Sequence, residues 1–223
     1  MFLKEYFNLK LPKFYNFPRK IKWSDFARHI SVFYRYYTRK ALVAKTDLPF
    51  LLRLLNLNSQ GAEVGVWKGD FSAHILAKSK LRVLYSIDPW IHFSANVYLD
   101  ITNVSQIEFE NVYLEAKRKL AKFGKRSKIV KMKSEDASLI FQDNSLDFIY
   151  IDANHSYNEC RRDLDFYYPK LKKGGIFAGD DYLNEVISDT KFEVKQAVDD
   201  FLTIHKHKLF VIRAQYPSWY FIK

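Results

Sequence analysis

From Gly61 onward the apolar residues fall into short continuous blocks, separated by stretches in which they recur every three to four positions. That rhythm predicts alternating strands and helices. Gly61-Ala-Glu-Val-Gly-Val66 reads as a short buried strand, followed by a helix over about 70–79. LRVLYSID (81–88) is a second strand, and a polar and aromatic connection over 90–106 leads to a helix over about 107–123. KIVKMK (128–133) reads as a third strand, with a short helix from Ser134. LDFIYID (146–152) is apolar enough for a central fourth strand. A helix over about 158–171 is broken at Gly174-Gly175, before a fifth strand IFAGD (176–180). A helix near 190–204 precedes two closing strands, LFVIRA (209–214) and SWYFIK (218–223), with Pro217 at the turn. Such alternation predicts an α/β fold with a doubly wound, mostly parallel sheet. The last two strands are joined by too few residues for a parallel crossover, so they form an antiparallel hairpin on five parallel strands.

Before this rhythm begins the pattern differs, and the chain divides into an extension (1–58) and a main domain (59–223). Pro12 and Pro18 mark an irregular arm. From Ser24, which can cap, Phe26, Ile30, Phe33 and Tyr37 recur at helical spacing on one face. A second helix is expected over 47–56, with Asp47 capping and Pro49 in its first turn.

Charge separates the two parts further. Of the net +11, residues 1–45 hold +9, from eleven Lys or Arg against Glu5 and Asp25, and also carry twelve aromatics. The main domain is therefore nearly neutral. A basic, aromatic arm suits a nucleic-acid backbone, an anionic bilayer surface carrying a lipid-linked glycan, a lid over a site, or a contact between copies in a homo-oligomer. The neutral main domain weighs against nucleic acid. The single cysteine, Cys160, excludes an intramolecular disulfide and cysteine-cluster zinc sites, and reads as packing. No run reaches the roughly 18 apolar residues of a membrane span. The start, MFLKEYFNLK, is too interrupted by charge for a secretion signal, so a cytoplasmic protein, at most peripheral to a membrane, is expected.

The candidate chemistry begins at Glu63-Val-Gly65-Val-Trp67-Lys-Gly69-Asp-Phe-Ser72, a strand running through a glycine turn into a helix. Glycines serve where backbone approaches a ligand or takes positive φ. The spacing is Gly-x-x-x-Gly and not the Gly-x-Gly-x-x-Gly of dinucleotide enzymes, which counts against a nicotinamide oxidoreductase. Glu63 beside the turn repels a pyrophosphate and suits a cofactor bearing ammonium and sulfonium groups. Asp88, at the end of the second strand, stands where an acid binds ribose hydroxyls, with Trp90 placed to flank the nucleoside. Ser134 and Glu135, just past the third strand, either meet an adenine edge or only begin a helix.

Through EVGVWKGDFS, SIDPW, IDANHSY and GGIFAGDDY the chain resembles the bacterial class I S-adenosylmethionine-dependent methyltransferases of glycan and secondary-metabolite gene clusters, related to the macrolide-sugar O-methyltransferases. The resemblance covers roughly residues 60–223. It implies a Rossmann-like fold, S-adenosylmethionine held by Glu63, Gly65, Trp67, Gly69, Ser72, Asp88, Trp90, Ser134 and Glu135, and methylation of a hydroxyl on a sugar, glycan or small-molecule acceptor. A nucleic-acid methyltransferase or a cofactor-binding protein using the basic arm is the alternative.

Strands four and five end in Asp152-Ala-Asn-His155 and Gly179-Asp-Asp-Tyr182, on the sheet edge where parallel folds bind ligands. Three converging carboxylates, Asp152, Asp180 and Asp181, repel one another unless a cation intervenes. Oxygen ligands favour Mg²⁺ or Mn²⁺. His155 is placed to take the proton of an alcohol as general base. The resemblance implies the same roles: metal ligands at Asp152, Asp180 and Asp181, and the base at His155. At Asp180 the chain departs from many members, which carry His there.

Overall fold

A computed structural model of the chain describes residues 22–93, 103–187 and 190–223. The arm before residue 22 and part of the 90–106 connection lie outside the described residues. The main sheet consists of β1 Gln60–Val64, β2 Val83–Ile87, β3 Ser127–Val130, β4 Leu146–Ile151, β5 Leu171–Gly179, β8 Phe210–Ile212 and β9 Ser218–Ile222. Its order is β3-β2-β1-β4-β5-β9-β8. β1 to β5 are parallel, while β9 runs antiparallel to both β5 and β8. This is the Rossmann-like sheet with a closing hairpin that the sequence pattern predicts.

The pattern is legible because both faces of the sheet are covered. All six residues of β4 are buried, and alternate side chains enter opposite cores. Phe148 and Tyr150 pack with α2 Leu48–Leu54 and α3 Asp70–Lys78. Ile149 and Ile151 pack with α6 Tyr157–Tyr167 and α7 Val194–His205. Of the remaining helices, α4 Gln106–Ala121 begins at a capping box, in which the Glu108 N–H and the Ser105 N–H each donate to the other residue's side chain, at 3.3 and 3.0 Å. α5 is the short Ser134–Ser138.

Differences from expectation have local causes. β5 runs through Gly174-Gly175 and is not started by them, because a pairing irregularity between Leu146 and Phe148 absorbs the glycines. A further two-stranded unit, β6 Glu185–Ile187 and β7 Thr190–Phe192, is too short to leave a sequence pattern. α1 spans Trp23–Tyr37, with extended Lys22 as its cap, and Ser24 makes no capping bond. Its buried face is centred on His29 and Val32 and not on the Phe26–Tyr37 stripe; Tyr37 is exposed. The His29 ring meets Phe50 edge-on at 4.8 Å, docking α1 on α2. Asp47 does not cap with its side chain; it closes the 3₁₀ turn Lys45–Asp47 by accepting the Ala44 N–H at 3.2 Å. Val32, Leu42 and Leu48–Leu52 thereby join the same core as Leu84 and Phe148. Among the described residues no helix is long and apolar enough to cross a membrane.

Candidate cofactor and catalytic site

The tips of β1 to β5 open into one cavity of about 850 Å³. Glu63, Gly65, Trp67, Asp88, Ser134, Glu135, Asp152, His155 and Asp181 line it; Gly69, Ser72, Trp90 and Asp180 do not.

At the glycine turn Gly65 takes φ +84°. A Cβ there would sit 1.7 Å from the Asp152 carbonyl oxygen, so only glycine lets the ends of β1 and β4 abut. Gly69, at φ +76°, caps α3. Asp88 clamps the turn: one oxygen accepts the Val66 and Trp67 N–H groups at 2.9 and 3.0 Å, and the other accepts that of Trp90 at 2.8 Å. Burial still pushes its carboxyl above the ordinary range. Three of the roughly four lone-pair sites on this carboxylate are thus taken by backbone, and one stays open to a ligand.

Two further expectations are corrected. Trp90 is wholly buried; its indole N–H donates to the Trp67 carbonyl at 3.0 Å, and it packs with Val66, Phe109, Val112 and Ala116. It props the turn from behind because the Asp88 clamp folds the chain at Pro89-Trp90 inward. Trp90→Ala is therefore expected to cost about 3–5 kcal/mol of folding stability in denaturant titration. A wall of the nucleoside site would instead lose cofactor affinity at unchanged stability. Ser72 is also fully buried: its hydroxyl donates to Glu63 and lies 2.6 Å from that of Ser86. It holds Glu63 and does not face the cavity.

Glu63 is buried, and burial outweighs the Ser72 hydrogen bond, pushing its carboxyl up to about 8. The ordinary value is 4.5, so between these limits the unfolded chain releases a proton that the folded chain keeps. Stability of the ligand-free protein is expected to fall as pH rises from about 5 to 8, by up to roughly 1.4 kcal/mol per unit from this group. Melting curves across that range should show it, and Glu63→Gln should flatten the slope; an equally steep slope in the variant contradicts the assignment.

At the other side of the cavity Asp152, His155 and Asp181 each offer one ligand atom, all within 4.8 Å of one another. His155 Nε2 lies 2.9 Å from an Asp181 oxygen, and Phe192 stacks on the imidazole at 4.5 Å. Glu193 fixes this loop: its N–H donates to the His155 carbonyl at 2.8 Å, and its carboxylate accepts the Tyr157 N–H at 3.1 Å. Burial, then the nearby Asp180 and Asp181 carboxylates, raise Asp152 to about 7.

Asp180, expected with this group, is directed elsewhere. Asp181 takes φ +54°, a left-handed turn that sends successive carboxylates apart. Asp180 is buried and accepts from Ser218 Oγ at 2.6 Å and from the Lys45 ammonium.

At the far end Ser134 Oγ donates to Asp163, Tyr167 OH donates to the Ser134 carbonyl at 3.0 Å, and Glu135 pairs with Arg162. Burial raises Asp163 to about 7. Asp163, Phe192 and Tyr216 line the cavity without having been singled out in the sequence. Only Asp163 left a signal, a carboxylate between Cys160, Leu164 and Tyr167 on the buried face of its helix.

A family described as a methyltransferase domain matches residues 62–182, more than half of the chain. No curated protein sequence matches. Solved structures share the fold. A putative caffeoyl-CoA O-methyltransferase from Staphylococcus aureus superposes with TM-score 0.58 at 14% identity, over 100% of this chain and 98% of the other. An O-methyltransferase from Bacillus cereus in complex with SAH gives 0.55 at 14%, over 99% and 97%. A putative methyltransferase from Streptococcus mutans, also in complex with SAH, gives 0.52 at 12%, over 78% and 97%.

Proposed function

The chain belongs to this methyltransferase-domain family, and from that premise we propose that it moves the methyl group of S-adenosylmethionine to a hydroxyl of a sugar, glycan or small-molecule acceptor. The observation that carries the reading is the meeting, in one cavity, of the Glu63–Gly65–Asp88 turn with the Asp152–His155–Asp181 group. When bound, the cofactor supplies a methyl on a sulfonium, a good leaving group, so the demand on the protein lies with the acceptor oxygen. Glu63, which burial keeps protonated in the ligand-free protein, supplies the negative charge once the cofactor's ammonium displaces its proton, Gly65 the close backbone approach, and Asp88 its remaining acceptor site for a ribose hydroxyl. Ser134 and Glu135 stand at the adenine end.

His155 takes the acceptor's proton, and the Asp181 carboxylate 2.9 Å away orients the ring and stabilises the imidazolium that forms. The Asp152 and Asp181 carboxylates offer oxygens within 4.8 Å of each other and of the His155 ring, a donor set of the kind that suits a divalent ion such as Mg²⁺ or Mn²⁺. Such an ion, held by Asp152 and Asp181 with His155 beside it, would lower the pKa of an acceptor hydroxyl and orient it.

The test is methyl transfer from labelled cofactor to a panel of hydroxylated acceptors, with and without chelator. Chelation is expected to lower turnover at least about tenfold, and Mg²⁺ or Mn²⁺ to restore it. Full turnover after verified metal removal overturns the metal part, and no transfer to any hydroxyl in the panel counts against the acceptor class.

A further inference from the structure

Lys45 lies outside the matched region 62–182, in the turn Lys45–Asp47 of the N-terminal segment. Its ammonium reaches the tip of β5, pairs with Asp180 and stands 5.5 Å from the centre of the Phe71 ring, which lines the cavity. Burial alone would lower its pKa; the Asp180, Asp152 and Asp181 carboxylates outweigh burial and raise it. The turn presenting it is tied down on both sides. Arg28 donates to Thr46 Oγ1 at 2.9 Å and to Asp47 at 3.2 Å, and the His74 ring bonds the Thr46 carbonyl at 2.8 Å. Immediately after it, Leu48, Phe50, Leu51 and Leu52 are fully buried. Lys45 is thus held at one place, against the acids that end β4 and β5.

The two neighbouring acids that follow β5 consequently have different partners. Asp181 faces Asp152 and His155, whereas both oxygens of Asp180 are occupied, by Lys45 and Ser218. A buried carboxylate stripped of its cation would be costly, and beside two others it would attract any available positive charge.

We propose that Lys45 is the resident counter-cation of this carboxylate centre: it keeps Asp180 out of the divalent-ion ligand set and so limits how tightly the ion is held. The inference rests on reading Asp152 and Asp181, with His155 beside them, as the ion site. It makes Lys45 a positioning residue, one that acts on the reaction through Asp180 and through the charge of the site. It also gives the N-terminal segment a direct part in tuning the active centre.

Mn²⁺ binding to the full chain, followed by the electron-paramagnetic signal of free Mn²⁺, tests this without turnover. Removing the positive charge that pairs with Asp180, and leaving that carboxylate without its cation beside a doubly charged ion, should tighten binding at least about tenfold in Lys45→Met. Lys45→Arg, which keeps the charge, should stay within about threefold of the wild type. Adding Asp180→Asn to Lys45→Met should cancel the gain. Each variant is checked by thermal melting and SAH calorimetry, and Lys45→Gln replaces Lys45→Met should the latter not fold. Unchanged or weaker Mn²⁺ binding in the folded charge-removing variant overturns the proposal, as does a gain that survives Asp180→Asn. Should wild type bind no Mn²⁺, the ion reading of the native site fails by itself; Lys45→Met must then gain binding, and no gain sinks the role of Lys45 as well.

Discussion

His155→Ala is expected to lower kcat by at least about a hundredfold while leaving the affinity for SAH nearly unchanged. The imidazole sits between the Asp181 carboxylate and the Phe192 ring, at the tip of β4. Glu63, on β1, and the glycine turn that follows it are the parts we assign to the cofactor. A residue that only packs the loop would lose stability and affinity together when truncated. A base would lose turnover alone, and with it the acidic limb of the pH–rate profile. A wild-type rate in His155→Ala removes the side chain from the mechanism.

Gly65→Ala should produce the second large effect. The new methyl would lie 1.7 Å from the carbonyl oxygen and 2.4 Å from the carbonyl carbon of Asp152, backbone atoms of a central strand that cannot swing aside. The ends of β1 and β4 must separate, displacing Glu63 and Asp152 together. We expect a stability loss of about 3 kcal/mol or more and an SAH affinity lowered at least about a hundredfold by calorimetry. Gly174→Ala separates the steric cause from the conformational one. Gly174 also has positive φ, +80°, but nothing lies within 4 Å of its would-be Cβ. It should cost only about 1 kcal/mol and leave SAH binding intact. Equal losses in both variants would mean that φ, and not the contact with Asp152, sets the cost.

The sheet was legible because its strands are covered on both faces and so write themselves as apolar blocks: β4 is buried at every position. The closing β8–β9 pair followed from the length of its connection. Gly174-Gly175 looked like an interruption because a strand irregularity and a strand start leave the same residues behind. Within the site, Glu63, Gly65, Asp88, Asp152 and His155 stand at strand ends, and strand ends are what hydrophobic blocks locate. Asp180 and Asp181 are indistinguishable as letters. The left-handed φ of Asp181 and a lysine 135 residues away along the chain decide which of them faces His155. Trp90 follows the same logic: an aromatic after Asp-Pro can turn either way, and the apolar faces of Val66, Phe109 and Val112 draw it inward.

We propose that the turn from Glu63 to Gly69, closed by Asp88, holds a nucleoside cofactor that bears an ammonium group. Calorimetric titration of the pure, folded chain with S-adenosylhomocysteine tests it most directly. Saturable one-to-one binding, weakened by Glu63→Gln, is expected. No binding heat at any temperature tried, from protein whose melting curve shows it folded, would contradict it.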